Sequence, residues 1–131
     1  EPSGISVIAH KHESGVDDYA VGLLGFENNA LATFTCGMTV KNEWSTFIAG
    51  TDGQIKIENP WFCNGTYDII RPQGLERIEI PLNLGAYAQE AEAFTAAVRG
   101  DAAPWTTRED TIGNMNTLDQ LRQKAGIPFP E

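Results

Sequence analysis

"DDYAVGLLGFENNALATFTCGM" (Asp17–Met38) reads as two β-strands joined by a tight turn. The first arm, Asp17 to Phe26, is apolar on both faces. Tyr19, Val21 and Leu23 share one side, and Ala20, Leu24 and Phe26 share the other, because successive strand side chains alternate. "ENNA" interrupts the run with asparagines, which tolerate left-handed turn positions. The second arm puts Ala32, Phe34, Cys36 and Met38 on one face and Leu31, Thr33 and Thr35 on the other. Two β-rich runs around such a break predict a hairpin.

The same logic extends in both directions. Upstream, "ISVIAHKH" (Ile5–His12) is β-rich before the polar "ESG". Downstream, "WSTFIAG" (Trp44–Gly50) and "QIKIE" (Gln54–Glu58) flank Asp52-Gly53, a tight-turn signal. "TYDIIR" (Thr66–Arg71) and "ERIEI" (Glu76–Ile80) flank "PQG" in the same way. Short connections between up to seven such strands favour antiparallel pairing.

The last third changes to helical period. Tyr87, Ala91, Phe94 and Val98 fall on one helix face, with Gly100 as the stop. Ala91, Phe94 and Val98 are expected in the core. A second helix follows "APWTTRED", where Thr106 with Glu109, or Thr107 with Asp110, has capping-box spacing. Ile112, Met115, Leu118, Leu121 and Ala125 form its apolar side, and Gly126 and Pro128 end it. Gly113 inside this helix costs roughly 1 kcal/mol relative to alanine, and nothing in the local pattern calls for it.

Strands followed by helices predict an α+β fold: a largely antiparallel sheet of about six or seven strands with the two C-terminal helices on one face. No stretch reads as a flexible linker, so residues 1–131 are expected to form a single domain. The opposite sheet face still carries apolar and small residues, which calls for a cover from a second domain or subunit.

Composition narrows the partners. Eighteen acidic against nine basic residues give a net charge of −9, which disfavours nucleic acid and anionic lipid. No apolar run approaches the roughly 20 residues of a membrane span. The chain opens on Glu1 instead of methionine, which reads as a piece cut from a larger protein. A cytoplasmic location is the starting expectation. Cys36 lies in an apolar run, where a free thiol behaves as a small hydrophobe. A disulfide to Cys63 is conceivable, but the spacing does not ask for one.

Chemistry is sparse. There is no G-x-G-x-x-G after a strand and no phosphate loop, so no nucleotide site is expected within this chain. There is no G-x-S-x-G nucleophile turn. His10 and His12 would share a strand face and could approach one metal, but two polar histidines at a strand end are the plainer reading. The adjacent acids Asp17-Asp18 and Glu109-Asp110 are better suited to solvation and helix-dipole roles than to acid–base catalysis. Trp61 in "NPWF" and Tyr87 at a helix start are the aromatic candidates, weighed against simple packing.

The ordered set "GVDDYAVGLLGFENNALATFTCG", "FIAGTDGQIKIENPW", "AYAQEAEAFTAAVRG" and "TREDTIGNMNTLDQLRQKAG" resembles the C-terminal domain of the Gfo/Idh/MocA oxidoreductases. This is the family of glucose–fructose oxidoreductase, inositol dehydrogenase and MocA. The resemblance covers nearly the whole chain. Its most specific parts are I-x-G-T-x-G-x-I-x-I (Ile48–Ile57) and Y-x-x-E-x-x-x-F (Tyr87–Phe94). It implies a parent with an N-terminal Rossmann domain that binds NAD or NADP, and a C-terminal sheet domain that shapes the substrate pocket and makes oligomer contacts. The family's catalytic lysine in E-K-P and its D-x-x-x-H helix have no counterpart here, since Ser6 and Ile8 stand four residues before His10 and His12.

Three expectations follow from the resemblance. No catalytic residue and no cofactor or metal ligand lies in this chain, which is inactive alone. Tyr87 and Trp61 line a sugar or polyol substrate pocket in the parent. Thr33, Thr35 and Trp44 lie on a sheet-mediated homo-oligomer interface. The alternative is a non-enzymatic interaction module that uses the same sheet face.

Overall fold

The computed structural model describes residues 1–62 and 64–127. They fall into two compact units. One combines Glu1–Asn42 with the segment from Thr106 onward, and the other is Glu43–Trp105.

The first unit holds β1 (Gly4–Lys11), β2 (Asp17–Gly25), β3 (Leu31–Gly37) and α2 (Arg108–Lys124). The strands form an antiparallel sheet in the order β1-β2-β3. The turn after β2 closes with the amide of Phe26 donating to Ala30 O and that of Asn29 to Phe26 O. Asn29 takes the left-handed conformation, φ 63°, that the "ENNA" signal predicts.

Register then sorts the side chains. Leu23 pairs with Ser6 on one side and Thr33 on the other, and Val21 pairs with Ile8 and Thr35. This face is open, with Ile8, Val21 and Leu23 exposed. On the inner face Val7, Gly22 and Phe34 lie in one row. The Phe34 ring occupies the place that a side chain at position 22 would need, so glycine is required there. Ala20 beside it is buried.

α2 starts with the Thr107–Asp110 capping box: the Asp110 amide donates to Thr107 Oγ1, and the Thr107 amide donates to Asp110 Oδ2. Of the two spacings with cap potential, this is the one used. The helix ends with the amide of Ile127 donating back to Arg122 O and that of Gly126 to Gln123 O. This left-handed stop turns Ile127 inward, where it is only 2% exposed. Met115, Leu118, Leu121 and Ala125 line a cleft of about 250 Å³ against Val7, Ala20 and Phe34, so most of the predicted apolar side of α2 faces the sheet, although Met115 and Leu118 stay partly exposed and Ile112, 47% exposed, does not line the cleft. Pro128, also expected at this helix end, lies outside the described residues.

The second unit holds β4 (Ser45–Gly50), β5 (Gly53–Glu58), a 3-10 turn (Pro60–Phe62), β6 (Thr66–Arg71), β7 (Gly74–Glu79) and α1 (Ala86–Arg99). Its sheet is antiparallel, in the order β4-β5-β6-β7. Both predicted hairpins are present, closing at Gly50–Gly53 and Arg71–Gly74. α1 ends at Gly100 with φ 80°, and Asp101 N donates back to Ala96 O.

Two expectations change. Among the described residues the seven strands form two sheets of three and four strands, not one continuous sheet, and each helix belongs to a different unit. Hairpin signals dictate pairing only across short turns, and the connection between β3 and β4 is a longer segment without regular structure. The apolar stripe of α1 also stays out of the core: Phe94 is 71% exposed, and Ala91 and Val98 are exposed too. Periodicity shows that a helix has a face to bury, but not what covers it.

Candidate functional site

One concavity of the four-stranded unit is a cleft of about 350 Å³. Ile57 and Tyr67 from the sheet, Ile80 and Leu82 after β7, and Trp105 give it apolar walls. α1 closes one side with Ala86, Gln89 and Glu90. Gln89 is tied down, because its Nε2 donates to Leu84 O at 2.9 Å. An apolar cavity edged by a few polar groups is the usual form of a small-molecule site.

Tyr87 is the next residue round the helix from Ala86, about 100° away, and it does not line this cleft. It is 88% exposed on the Phe94 and Val98 stripe. Trp61, in the 3-10 turn, is 79% exposed and also lies off the cleft wall. Both belong to the four-stranded unit. The sequence reading missed the wall residues Ile80, Leu82 and Trp105. Their signal was weak, since the first two flank the end of a strand and Trp105 lies in the "APWTTRED" connection.

Beside the cleft residues, one cross-strand row spans all four strands: Phe47, Lys56, Asp68 and Arg77. Lys56 Nζ stands 5.7 Å from the Phe47 ring centre, within cation–π range. Lys56 also donates to Glu58 at 2.8 Å, which raises the lysine pKa and lowers that of Glu58. Arg77 grips Asp68 in a bidentate fork at 2.8 and 2.9 Å. Asp68 is only 7% exposed, and the guanidinium hydrogen bond holds its carboxyl below the usual aspartate range. The row is a stabilising polar clamp with every charge paired.

Thr33 and Thr35 lie on the open face of the three-stranded sheet, next to Leu23 and Val21. Trp44 belongs to the other unit, where its ring packs at 5.8 Å against Phe62. His10 stacks flat on Tyr19, with centroids 4.9 Å apart, and its Nδ1 is 3.6 Å from a carboxylate oxygen of Asp18. Asp18 also accepts from Thr39 Oγ1 at 2.7 Å. His12 lies beyond β1 and its Nδ1 bonds Ser14 Oγ. The two histidines are therefore committed to different partners, and among the described residues no group of three or more potential ligands stands together to hold a metal. Cys36 lines the α2 cleft; the Cys63 half of the conceivable disulfide lies outside the described residues.

Residues 1–56 match the model of the GFO/IDH/MocA C-terminal domain, and the chain is similar to that domain of the Gfo/Idh/MocA oxidoreductases. Among curated relatives, trans-1,2-dihydrobenzene-1,2-diol dehydrogenase of Homo sapiens is 36% identical over 143 residues, covering 100% of this chain and 42% of that protein. The chain thus spans about two-fifths of the length of the curated relatives that it matches end to end. Among solved structures, aldose-aldose oxidoreductase from Caulobacter crescentus superposes with a TM-score of 0.83 at 14% identity, covering 96% of this chain and 39% of that one. UDP-N-acetylglucosamine 3-dehydrogenase from Acidithiobacillus ferrooxidans gives 0.76 at 17% identity, with 98% and 40% covered. At these identities the two structures share the fold.

Proposed function

We propose that residues 1–131 act as one C-terminal domain, the substrate and assembly part of a larger NAD(P)-dependent oxidoreductase. The observation that carries this reading is the 36% identity to a dehydrogenase along the whole of this chain. The parent transfers hydride between a nicotinamide and a carbon bearing hydroxyl or carbonyl, on a sugar, inositol or related polyol. The names of the relatives support a ring with adjacent hydroxyls as the substrate class. The cofactor supplies the redox chemistry and is held by an N-terminal Rossmann domain, since none of the 131 residues forms a dinucleotide fingerprint.

Within this domain Tyr87 offers a free hydroxyl to a substrate hydroxyl, and Trp61 offers an apolar wall. Their exposure supports the role, because neither ring is used up in packing here. The bare stripe of Tyr87, Phe94 and Val98 suits burial by the N-terminal domain. The open face around Thr33 and Thr35 forms a homo-oligomer contact, and Trp44, in the other unit, is a separate interface residue. A non-enzymatic interaction module explains the same open face but not the dehydrogenase similarity, and it has less support. No helix among the described residues is long and apolar enough to cross a membrane, and we place the parent in the cytoplasm.

The test compares this chain with the full-length protein. Calorimetry detects no saturable binding of NAD(H) to the chain alone, and no polyol oxidation occurs. In the full-length enzyme Tyr87→Phe and Trp61→Ala each raise the polyol KM about tenfold while the nicotinamide KM stays put, the signature of lost substrate binding. Micromolar NAD(H) binding by the isolated chain would sink the division of labour, and unchanged polyol KM values would remove both residues from the pocket.

A further inference from the structure

α2 carries a notch that captures a carboxylate. Gly113 and Thr117 are one turn apart on the same helix face, and both are buried. The Glu1 side chain lies over Gly113, in the space that an alanine methyl would take. Thr117 Oγ1 is 3.0 Å from Glu1 Oε2 and 3.1 Å from the Gly113 carbonyl oxygen, so one hydroxyl serves both the helix and the acid. Two residues further on, Ser3 is tied to the end of β2, its amide donating to Gly25 O at 2.8 Å. The segment that leads into β1 is therefore fastened at two points, to α2 and to β2. A Cβ at position 113 would meet the Glu1 carboxylate in its present place, which gives the mid-helix glycine a local reason.

We propose that the Gly113–Thr117 notch is a latch, and that Glu1 and Thr117 are positioning residues for the oxidoreductase reaction. Whatever precedes Glu1 in the parent enters the three-stranded sheet through this segment, so the latch sets its direction relative to the substrate domain. The proposal rests on the oxidoreductase reading above. Reacting groups misplaced by small distances lose rate without losing affinity.

The test uses the full-length enzyme with Thr117→Val, which keeps the shape and removes the hydroxyl, and Thr117→Ser, which restores it. Hydrogen exchange at residues 3–8 reads the latch without reference to activity. The expected result for Thr117→Val is faster exchange there and a kcat lowered roughly tenfold, with both KM values unchanged. Thr117→Ser returns both readouts to the wild-type values. Unchanged exchange at residues 3–8 overturns the latch. Faster exchange with an unchanged kcat overturns the positioning role and leaves a purely structural contact. A wild-type enzyme with no nicotinamide-dependent turnover at all overturns the oxidoreductase reading and, with it, the positioning role, while the exchange data still decide whether the latch exists.

Discussion

Asp68 on β6 and Arg77 on β7 face each other across their hairpin, with the guanidinium Nε and Nη2 at 2.8 and 2.9 Å from the two carboxylate oxygens. The arginine hydrogen bond keeps the Asp68 carboxyl ionised below its ordinary value of 3.8. A depressed folded-state pKa stabilises the protein above the unfolded value, and that contribution fades as the pH falls through the folded value. We expect Arg77→Met to lower the urea midpoint at neutral pH and to flatten its decline from about pH 7 to about pH 2. A variant whose midpoint falls on acidification as steeply as the wild type would remove this pair as a source of acid sensitivity.

Gly22 admits the Phe34 ring across the inner face of the three-stranded sheet. Gly22→Ala pushes a methyl into that ring, and overpacking of this kind costs about 1–3 kcal/mol. Denaturant unfolding should show the loss, and Phe34→Leu in the same chain should recover part of it by freeing the space. A double variant no more stable than Gly22→Ala would show that the contact is not the cause.

The α2 cap is separable from the core. Thr107→Ala removes the acceptor for the Asp110 amide and costs about 1 kcal/mol, whereas Thr107→Ser keeps it. Thermal melts of the two variants check this; equal midpoints would mean that the capping box contributes nothing measurable. The Thr107 contacts also hold the Asp110 carboxyl below its usual range, so the wild-type cap should persist into mild acid.

On the open face, Thr33 and Thr35 sit in rows with Leu23, Val21 and Ile8. Changing both threonines to glutamate places two like charges in the middle of the proposed subunit contact. In the full-length protein we expect sedimentation to show a smaller species, with the far-ultraviolet spectrum retained. An unchanged mass would move the assembly surface elsewhere.

Much of the fold was legible because the decisive signals are local. Asn29 takes the left-handed turn that its side chain tolerates, Gly100 ends α1, and Thr107 with Asp110 caps α2. The row from Phe47 to Arg77 was within reach as well, since counting outward from the Pro72–Gln73 turn sets Asp68 opposite Arg77. Pairing beyond a hairpin carries no such signal, and this is why one sheet was expected where there are two. The candidate site was less legible. Tyr87 and Trp61 stand out by type and position, but the cleft wall needs Trp105 and Leu82 brought to β5 and β6 by tertiary structure. The burial of Phe94 and Val98 depends on a surface that hydrophobic spacing cannot name.

The first compact unit is made of two stretches separated by the whole of the second, and this sets a timetable for synthesis. β1 to β3 leave the ribosome complete at Gly37, but α2 begins at Arg108, about seventy residues later. At roughly 5–20 residues per second, Val7, Ala20 and Phe34 wait several seconds for their cover. The four-stranded hairpins, contiguous in the chain, can close during that interval. The nascent chain therefore passes through a stage in which the inner face of the three-stranded sheet has no helix over it.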